Sequence, residues 1–394
     1  MRFSFIHTAD WQIGKPFRNF PERVAGRLEG ARLDAIDRLA AAARARGIGH
    51  VLVAGDIWDS DRLPSREEQQ PLKRMAAYAE LTWVLIPGNH DAARAGSVWT
   101  RLAVRGAPSN VIALTESRPF EVVPGVVVLP APLTSRSAGR DPTHWMDGVA
   151  TAPGLLRIGL AHGSVKGFGS EGGQDGLIDA ARAKRAGLDY LALGDWHGAT
   201  RINARTWYSG TPEPDRFKDN EPGEVLAVTI GGQGAEPAVE RIATGHYVWV
   251  AVEADVSEVA GLARIERDLR ARGTALNRMI VRIMLGGRLP PADLYRVEAW
   301  RDALASEVEH LACDASRIGV AGGAVDLDLF GAAGELRRVA EILSARACDP
   351  QDPRAADAAE GLKRLVGILA DVRSRSGGDV LSGERRPAGR GGAS

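Results

Sequence analysis

The sequence predicts an α/β protein: a first domain in which hydrophobic strands alternate with amphipathic helices, then a small α+β domain and C-terminal helices. Three observations predict it. Apolar runs recur at 3–9, 50–54, 83–86, 156–161 and 190–193, several of them separated by apolar residues at helical spacing. Each run then gives way to Asp, Asn or His: Asp10, Asp56, Asn89, His162, and Asp195 with His197. Ligands of open α/β sheets bind beyond the carboxyl ends of the strands, and polar residues scattered at random would not keep that phase.

Taken in order, residues 3–9 form a first strand that ends at Asp10-Trp11-Gln12. Leu28, Ala31, Ala35, Leu39 and Ala42 then mark a helix, with Gly47 as its stop. The second strand, 50–54, runs into Gly55-Asp56-Ile57-Trp58-Asp59, and Ser65 with Glu68 reads as a capping box opening the next helix. Residues 83–86 are a buried strand halted by Pro87-Gly88, followed by Asn89, His90 and Asp91. An amide, an imidazole and a carboxylate side by side are costly to desolvate and have no evident packing role. Residues 122–129 read as a hairpin about Pro124-Gly125, 156–161 as a strand, 178–186 as a helix stopped by Gly187, and 190–193 as a strand. Residues 225–230 close the domain, and the glycines of 231–234 mark a boundary. Beyond it, strands at 246–252 and 279–285 alternate with helices at 259–272 and 293–311. Helices at 336–345 and 355–372 follow. The division expected is 1–232, 235–320, 321–372 and, in a Gly-, Ser-, Arg- and Pro-rich composition, a disordered tail at 373–394.

The 394 residues suffice for two or three domains, and 50 basic against 50 acidic residues leave no bulk charge to propose or exclude nucleic acid. Two cysteines, Cys313 and Cys348, form no metal-site spacing and no disulfide framework. No apolar run is long enough to span a membrane, and the N-terminus reads as a strand, so a cytoplasmic location is expected.

Asp10, Asp56, Asn89, His162, Asp195 and His197 form a mixed oxygen and nitrogen donor set suited to divalent metals. Two such ions about 3.5–4 Å apart can clamp the attacking and leaving oxygens of a phosphoryl displacement. Asp56 is the bridging candidate because Gly55 allows close backbone approach, and a hydroxide between the ions would be the nucleophile. His90, pointing away from its neighbour Asn89, is placed to act as general acid or to stabilise developing charge, with Asp91 orienting it.

Asp10-Trp11-Gln12, Gly55-Asp56-Ile57-Trp58-Asp59, Gly88-Asn89-His90-Asp91, Ala161-His162-Gly163 and Gly194-Asp195-Trp196-His197 together resemble the five motifs of the calcineurin-like metallophosphoesterases. Phe5-Ile6-His7-Thr8-Ala9-Asp10 and Tyr208-Ser209-Gly210-Thr211-Pro212-Glu213 most resemble the DNA-repair nuclease branch of SbcD and YhaO. The resemblance covers about the first 215 residues. It implies a four-layer α/β/β/α sandwich with a dinuclear centre. One ion would lie on Asp10, Gln12, Asp56 and His197, the other on Asp56, Asn89, His162 and Asp195. It implies His90 as the catalytic histidine and Asp59 near the substrate. It further implies a capping domain that shapes a DNA groove, C-terminal helices that dock on an SMC-like coiled-coil ATPase of the SbcC kind, and a homodimer.

Gln12 and Asp195 depart from that pattern, each standing where the family usually has a histidine. Both changes favour Mn²⁺, with Mg²⁺ as the alternative, over Zn²⁺. The function expected is that of a metal-dependent phosphodiesterase that cleaves DNA as an exonuclease and endonuclease in repair. The rivals are a small-molecule phosphodiesterase or phosphatase, and a non-catalytic subunit that binds DNA ends through degenerate metal sites. Trp11, Trp58 and Trp196 read as packing that stiffens the ligands rather than as a base-stacking wall. His7 reads as a supporting residue behind the first motif, and the arginines of 264–272 and 373–390 as solvated surface.

Overall fold

In a computed structural model, residues 1–137, 139–168, 177–217, 222–320, 330–331, 334–349 and 351–375 are described. Contacts divide the chain into two compact units, Met1–Trp249 and Val250–Ser394.

The first unit is built on two six-stranded sheets. In one, β1 (Phe3–Thr8), β2 (His50–Val53), β3 (Thr82–Leu85) and β4 (Val111–Ala113) run parallel. This sheet is completed by β11 (Glu224–Ile230), antiparallel to β1, and β12 (Ala238–Ala243), antiparallel to β11. The other carries β6 (Val126–Ala131), β7 (Leu156–His162), β8 (Tyr190–Gly194) and β10 (Thr206–Tyr208) in parallel, with β5 (Phe120–Val123) and β9 (Thr200–Asn203) antiparallel at its edges.

One apolar core joins the facing sides of the two sheets: Phe5, Leu52, Val84 and Leu226 from the first against Val128, Ile158, Leu160 and Tyr190 from the second. The outer side of the first sheet is covered by α1 (Glu22–Arg44), α2 (Ser65–Ala76) and α3 (Val98–Arg105) through Ile36, Leu39, Leu72, Met75 and Leu102. Among the described residues, the outer side of the second carries a 3₁₀ turn, His144–Gly148, and the short α4 (Arg182–Arg185), through Met146 and Ala183. The result is an α/β/β/α sandwich whose second helical layer is thin.

Several local expectations change. Ser65 is the first helical residue behind Pro64 and makes no side-chain cap. Glu68, fully buried, instead receives Arg101 at 2.8 Å and Arg105 at 2.9 Å, tying α2 to α3. The helix expected over 178–186 shrinks to α4, because Ile178 bridges Val165 in extended conformation. The 231–234 glycines turn a hairpin whose second strand, β12, adds to the first sheet, so the first unit runs on to Trp249.

In the second unit, β13 (Val248–Val256), β14 (Met279–Leu289) and β15 (His310–Val320) form a three-stranded sheet in that order, with α5 (Ala260–Arg270) and α6 (Pro291–Glu307) between them. The expected helix to Leu311 ends at Glu307, and β15 follows from His310, pairing parallel with β14. Its alternation, Leu311, Cys313 and Ala315 inward, is too weak to signal a strand in sequence. Helices α7 (Glu335–Ala347) and α8 (Ala355–Arg375) pack together through Ala340, Leu362 and Val366. Residues 373–375, expected to start the tail, are helical; the rest of the expected tail, 376–394, and 321–329 lie outside the described residues. Among the described residues no helix is long and apolar enough to cross a membrane.

Candidate metal centre

Parallel strands deliver the polar residues to one rim. Asp10 follows β1, Asp56 follows β2, Asn89 follows β3, His162 ends β7 and Asp195 follows β8. The turns that re-aim these side chains are strained. Asp10, Gln12, Asp56 and Asp195 all have positive φ (57°, 44°, 54° and 106°), and they are the only non-glycine residues so placed among those described. Their backbones are cross-tied: Asp10 N–H to Gly55 O at 3.1 Å, Gln12 N–H to Asp56 O at 2.9 Å, and Asp195 N–H to the Asp10 carboxylate at 3.0 Å.

One half of the centre is gathered about His162. Its Nε2 lies 3.1 Å from Asn89 Oδ1, 3.6 Å from Asp56 Oδ2 and 4.0 Å from Asp195 Oδ1. Its Nδ1 lies 2.8 Å from the Ala54 carbonyl. A carbonyl only accepts, so Nδ1 carries the hydrogen and Nε2 turns to the carboxylates. Donor atoms of Asp10, Asp56 and His162 all lie within 4.8 Å of one another. Three glycines make this approach possible: a Cβ on Gly88 would overlap Asp56, one on Gly55 would meet the His162 ring, and one on Gly194 would overlap the Ala54 carbonyl. Ser164 Oγ donates to Asp195 at 2.7 Å.

The electrostatics are those of a site short of positive charge. Burial, and then repulsion from Asp56 and Asp195, pushes the Asp10 carboxyl well above its ordinary range despite His162. Burial would lower His162, but Asp56, Asp10 and Asp195 raise it to about 9. Arg32, the buried guanidinium nearby, does not plug the rim: it donates to the backbone carbonyls of Trp11 (2.8 Å), Glu213 (3.1 Å) and Asp10 (3.2 Å). A divalent cation is the group that this donor set fits, with hard oxygens and one imidazole converging where charge is uncompensated.

The other half holds Gln12 and His197, with Gln12 Nε2 at 3.3 Å from His197 Nε2, itself 4.0 Å from Asp10 Oδ1. Behind it stands a residue that the sequence reading missed. Asp215, nearly fully buried, lies 3.2 Å from His197 Nδ1 and pairs with Lys15. Five residues past Gly210 and outside the quoted motifs, it carried no signal of its own.

His90 is half-exposed at the rim. Its Nδ1 lies 3.0 Å from the Asp59 carbonyl, which leaves Nε2 as the nitrogen able to exchange a proton. Asp91 does not orient it. Its carboxylate accepts from Gly88 N–H at 2.6 Å, Ile57 N–H at 2.9 Å and Trp58 N–H at 3.3 Å, stapling two ligand loops together. Burial and then Asp56 push its carboxyl up to about 7. Trp11 and Trp58 are buried, donating to Thr8 Oγ1 at 2.9 Å and the Glu68 carbonyl at 3.3 Å, and they act as packing. Trp196 is half-buried, edge-on to Phe168 at 5.3 Å. His7 lies in the core between Tyr190 Oη and the Leu193 carbonyl, each at 3.1 Å.

A family model described as "Calcineurin-like phosphoesterase" matches residues 3–199, which include every strand-end residue named above. The chain belongs to that family. A metal-dependent phosphoester hydrolase with a divalent-metal centre is therefore the coarse assignment. Among solved structures, the phosphoesterase chain is similar to TT1561 of Thermus thermophilus, at 13% identity and a TM-score of 0.41, covering 62% of this chain and 100% of that one. It is also similar to the purple acid phosphatase PPD1 from yellow lupin (Lupinus luteus) seeds, at 14% identity and a TM-score of 0.37, covering 62% of this chain and 52% of that one. No curated protein matches the chain.

Proposed function

We propose that this phosphoesterase is a phosphodiesterase acting on DNA, an exonuclease and endonuclease of the repair branch. The observation that carries the reading is the stretch Tyr208-Ser209-Gly210-Thr211-Pro212-Glu213, which resembles that branch and lies directly behind the centre. Thr211 Oγ1 donates to the Asp10 carbonyl at 2.8 Å. Buried Glu213 accepts from His246 N–H at 2.7 Å and Tyr247 N–H at 3.0 Å, fixing the chain after it.

Asp56, Asn89, His162 and Asp195, with Asp10 alongside, would hold the divalent ion, and Mn²⁺ suits the oxygen-rich set. When bound, the ion supplies Lewis-acid polarisation of a phosphoryl oxygen and neutralises its charge. The chain's own residues do the rest. Asp59 fixes the His90 ring through its carbonyl, and His90 Nε2 gives a proton to the departing ester oxygen. Water adds to phosphorus and gives up a proton to solvent as one P–O bond breaks, leaving a phosphomonoester and a hydroxyl end, and His90 takes a proton back from solvent.

Purified protein incubated with Mn²⁺ should cleave labelled DNA and bis-p-nitrophenyl phosphate. Cleavage of p-nitrophenyl phosphate alone would refute the diesterase reading, and turnover of none would favour a binding subunit.

The helical pair α7 and α8 is proposed as the docking site for an SMC-like coiled-coil ATPase. In its support, Leu336, Val339 and Ile342 recur along one side of α7 and are exposed, as is Ile368 on α8. Replacing Leu336 and Ile342 by Glu should abolish co-purification with such a partner while DNA cleavage by the isolated chain persists.

A further inference from the structure

The two halves of the centre are satisfied in different ways. Around Gln12, four side chains close a ring. Lys15 Nζ donates to Gln12 Oε1 at 3.3 Å, and Gln12 Nε2 faces His197 Nε2 at 3.3 Å. His197 Nδ1 faces Asp215 Oδ1 at 3.2 Å, and Asp215 Oδ2 pairs back with Lys15.

The direction of every bond in this ring is forced. An ammonium only donates, so the amide oxygen must face Lys15 and the NH₂ must face His197. A carboxylate only accepts, so Nδ1 of His197 carries the hydrogen and Nε2 presents its lone pair to the amide. Gln12 thus points its ligating oxygen at Lys15 and its NH₂ at His197, and His197 gives its one lone pair to Gln12. Turning the amide over to ligate a cation would set its NH₂ against the Lys15 ammonium, donor against donor.

Charge separates the halves in the same sense. Asp215 already faces two cations, Lys15 and, at 3.5 Å, Arg216. Asp10, Asp56 and Asp195 pair with no Lys or Arg among the described residues, only with His162 and His197.

We propose that the ring of Lys15, Gln12, His197 and Asp215 replaces one of the two cations of a dinuclear centre. The protein then holds one tightly bound divalent ion, among Asp10, Asp56, Asn89, His162 and Asp195. The proposal rests on the reading of the His162 cluster as the resident ion site. Lys15 enforces it at the amide oxygen, and His197 receives the NH₂ at the other end.

The test counts ions rather than turnover. Chelator-stripped protein is loaded with MnCl₂, desalted, and analysed for manganese per chain and by low-temperature electron paramagnetic resonance. The wild type should retain one Mn²⁺ with the spectrum of an isolated ion. Lys15→Met frees the amide to turn its oxygen inward, and Gln12→His supplies a lone pair in its place. Each should retain two ions with an exchange-coupled spectrum. Replacing Lys15 leaves Asp215 with His197 at 3.2 Å and Arg216 at 3.5 Å, and a melting curve verifies that each variant is folded. Two coupled ions in the wild type overturn the proposal and leave the phosphodiesterase reading standing. One ion in both variants overturns it as well. No retained ion in any of the three proteins overturns the His162 reading together with it.

Discussion

Replacing Asp91 separates scaffold from chemistry in the Gly88-Asn89-His90-Asp91 loop. Its buried carboxylate is the acceptor for Gly88, Ile57 and Trp58 N–H groups, at 2.6, 2.9 and 3.3 Å. Asp91→Ala leaves three buried donors without a partner, each costing about 1–3 kcal/mol. Relief from burying a carboxyl already pushed up to about 7 offsets part of that. A net loss of about 3–5 kcal/mol is expected, a large share of the ~5–15 kcal/mol that holds a domain together. Asp91→Asn keeps one oxygen and turns an NH₂ on at least one N–H, so it should lose roughly half as much. Urea unfolding followed by circular dichroism, in excess chelator so that metal linkage does not enter, measures both. A stability loss under about 1 kcal/mol for Asp91→Ala, with turnover abolished at full metal content, would show that Asp91 serves His90 and that the stapling argument is wrong.

His90→Asn should leave metal content and melting temperature unchanged and lower kcat about 100-fold or more; an unchanged rate removes His90 from the mechanism. Gly88→Ala drives a Cβ onto the Asp56 carboxylate, so retained metal should weaken about 10–100-fold; equal affinity would mean that the loop yields freely. Burial holds His7 down at about 3 against 6.5 when unfolded. Above both values the imidazole is neutral in either state; as pH falls below the upper one, only the unfolded chain gains the proton, so stability drops by about 1.4 kcal/mol per pH unit. His7→Gln should be flatter than wild type between pH 6 and 4 by about that slope, and parallel curves would place His7 in contact with water.

Much of the fold and the centre was legible because strands and motifs are local signals. A hydrophobic run that ends on Asp, Asn or His states both a strand and the phase of its last side chain, and this located Asp10, Asp56, Asn89, His162 and Asp195 on one rim. Glycines next to them, Gly55, Gly88 and Gly194, were visible too, although only the packing shows that each clears a specific contact. Elements with weak local patterns were missed: α3, β4, the β9–β10 hairpin and β15.

What the chain alone determined is which groups arrive at the rim, since strand order and period fix that. Which group each of them faces was decided only by the folded structure. Asp91 turned from His90 to three backbone donors, Glu68 from a helix cap to two arginines on another helix, and Asp215 came against His197 from outside every motif. Hydrogen-bond direction is set by partners distant in sequence. An amide such as Gln12 is a ligand or a donor according to whether an ammonium stands behind it, and no residue spacing carries that information.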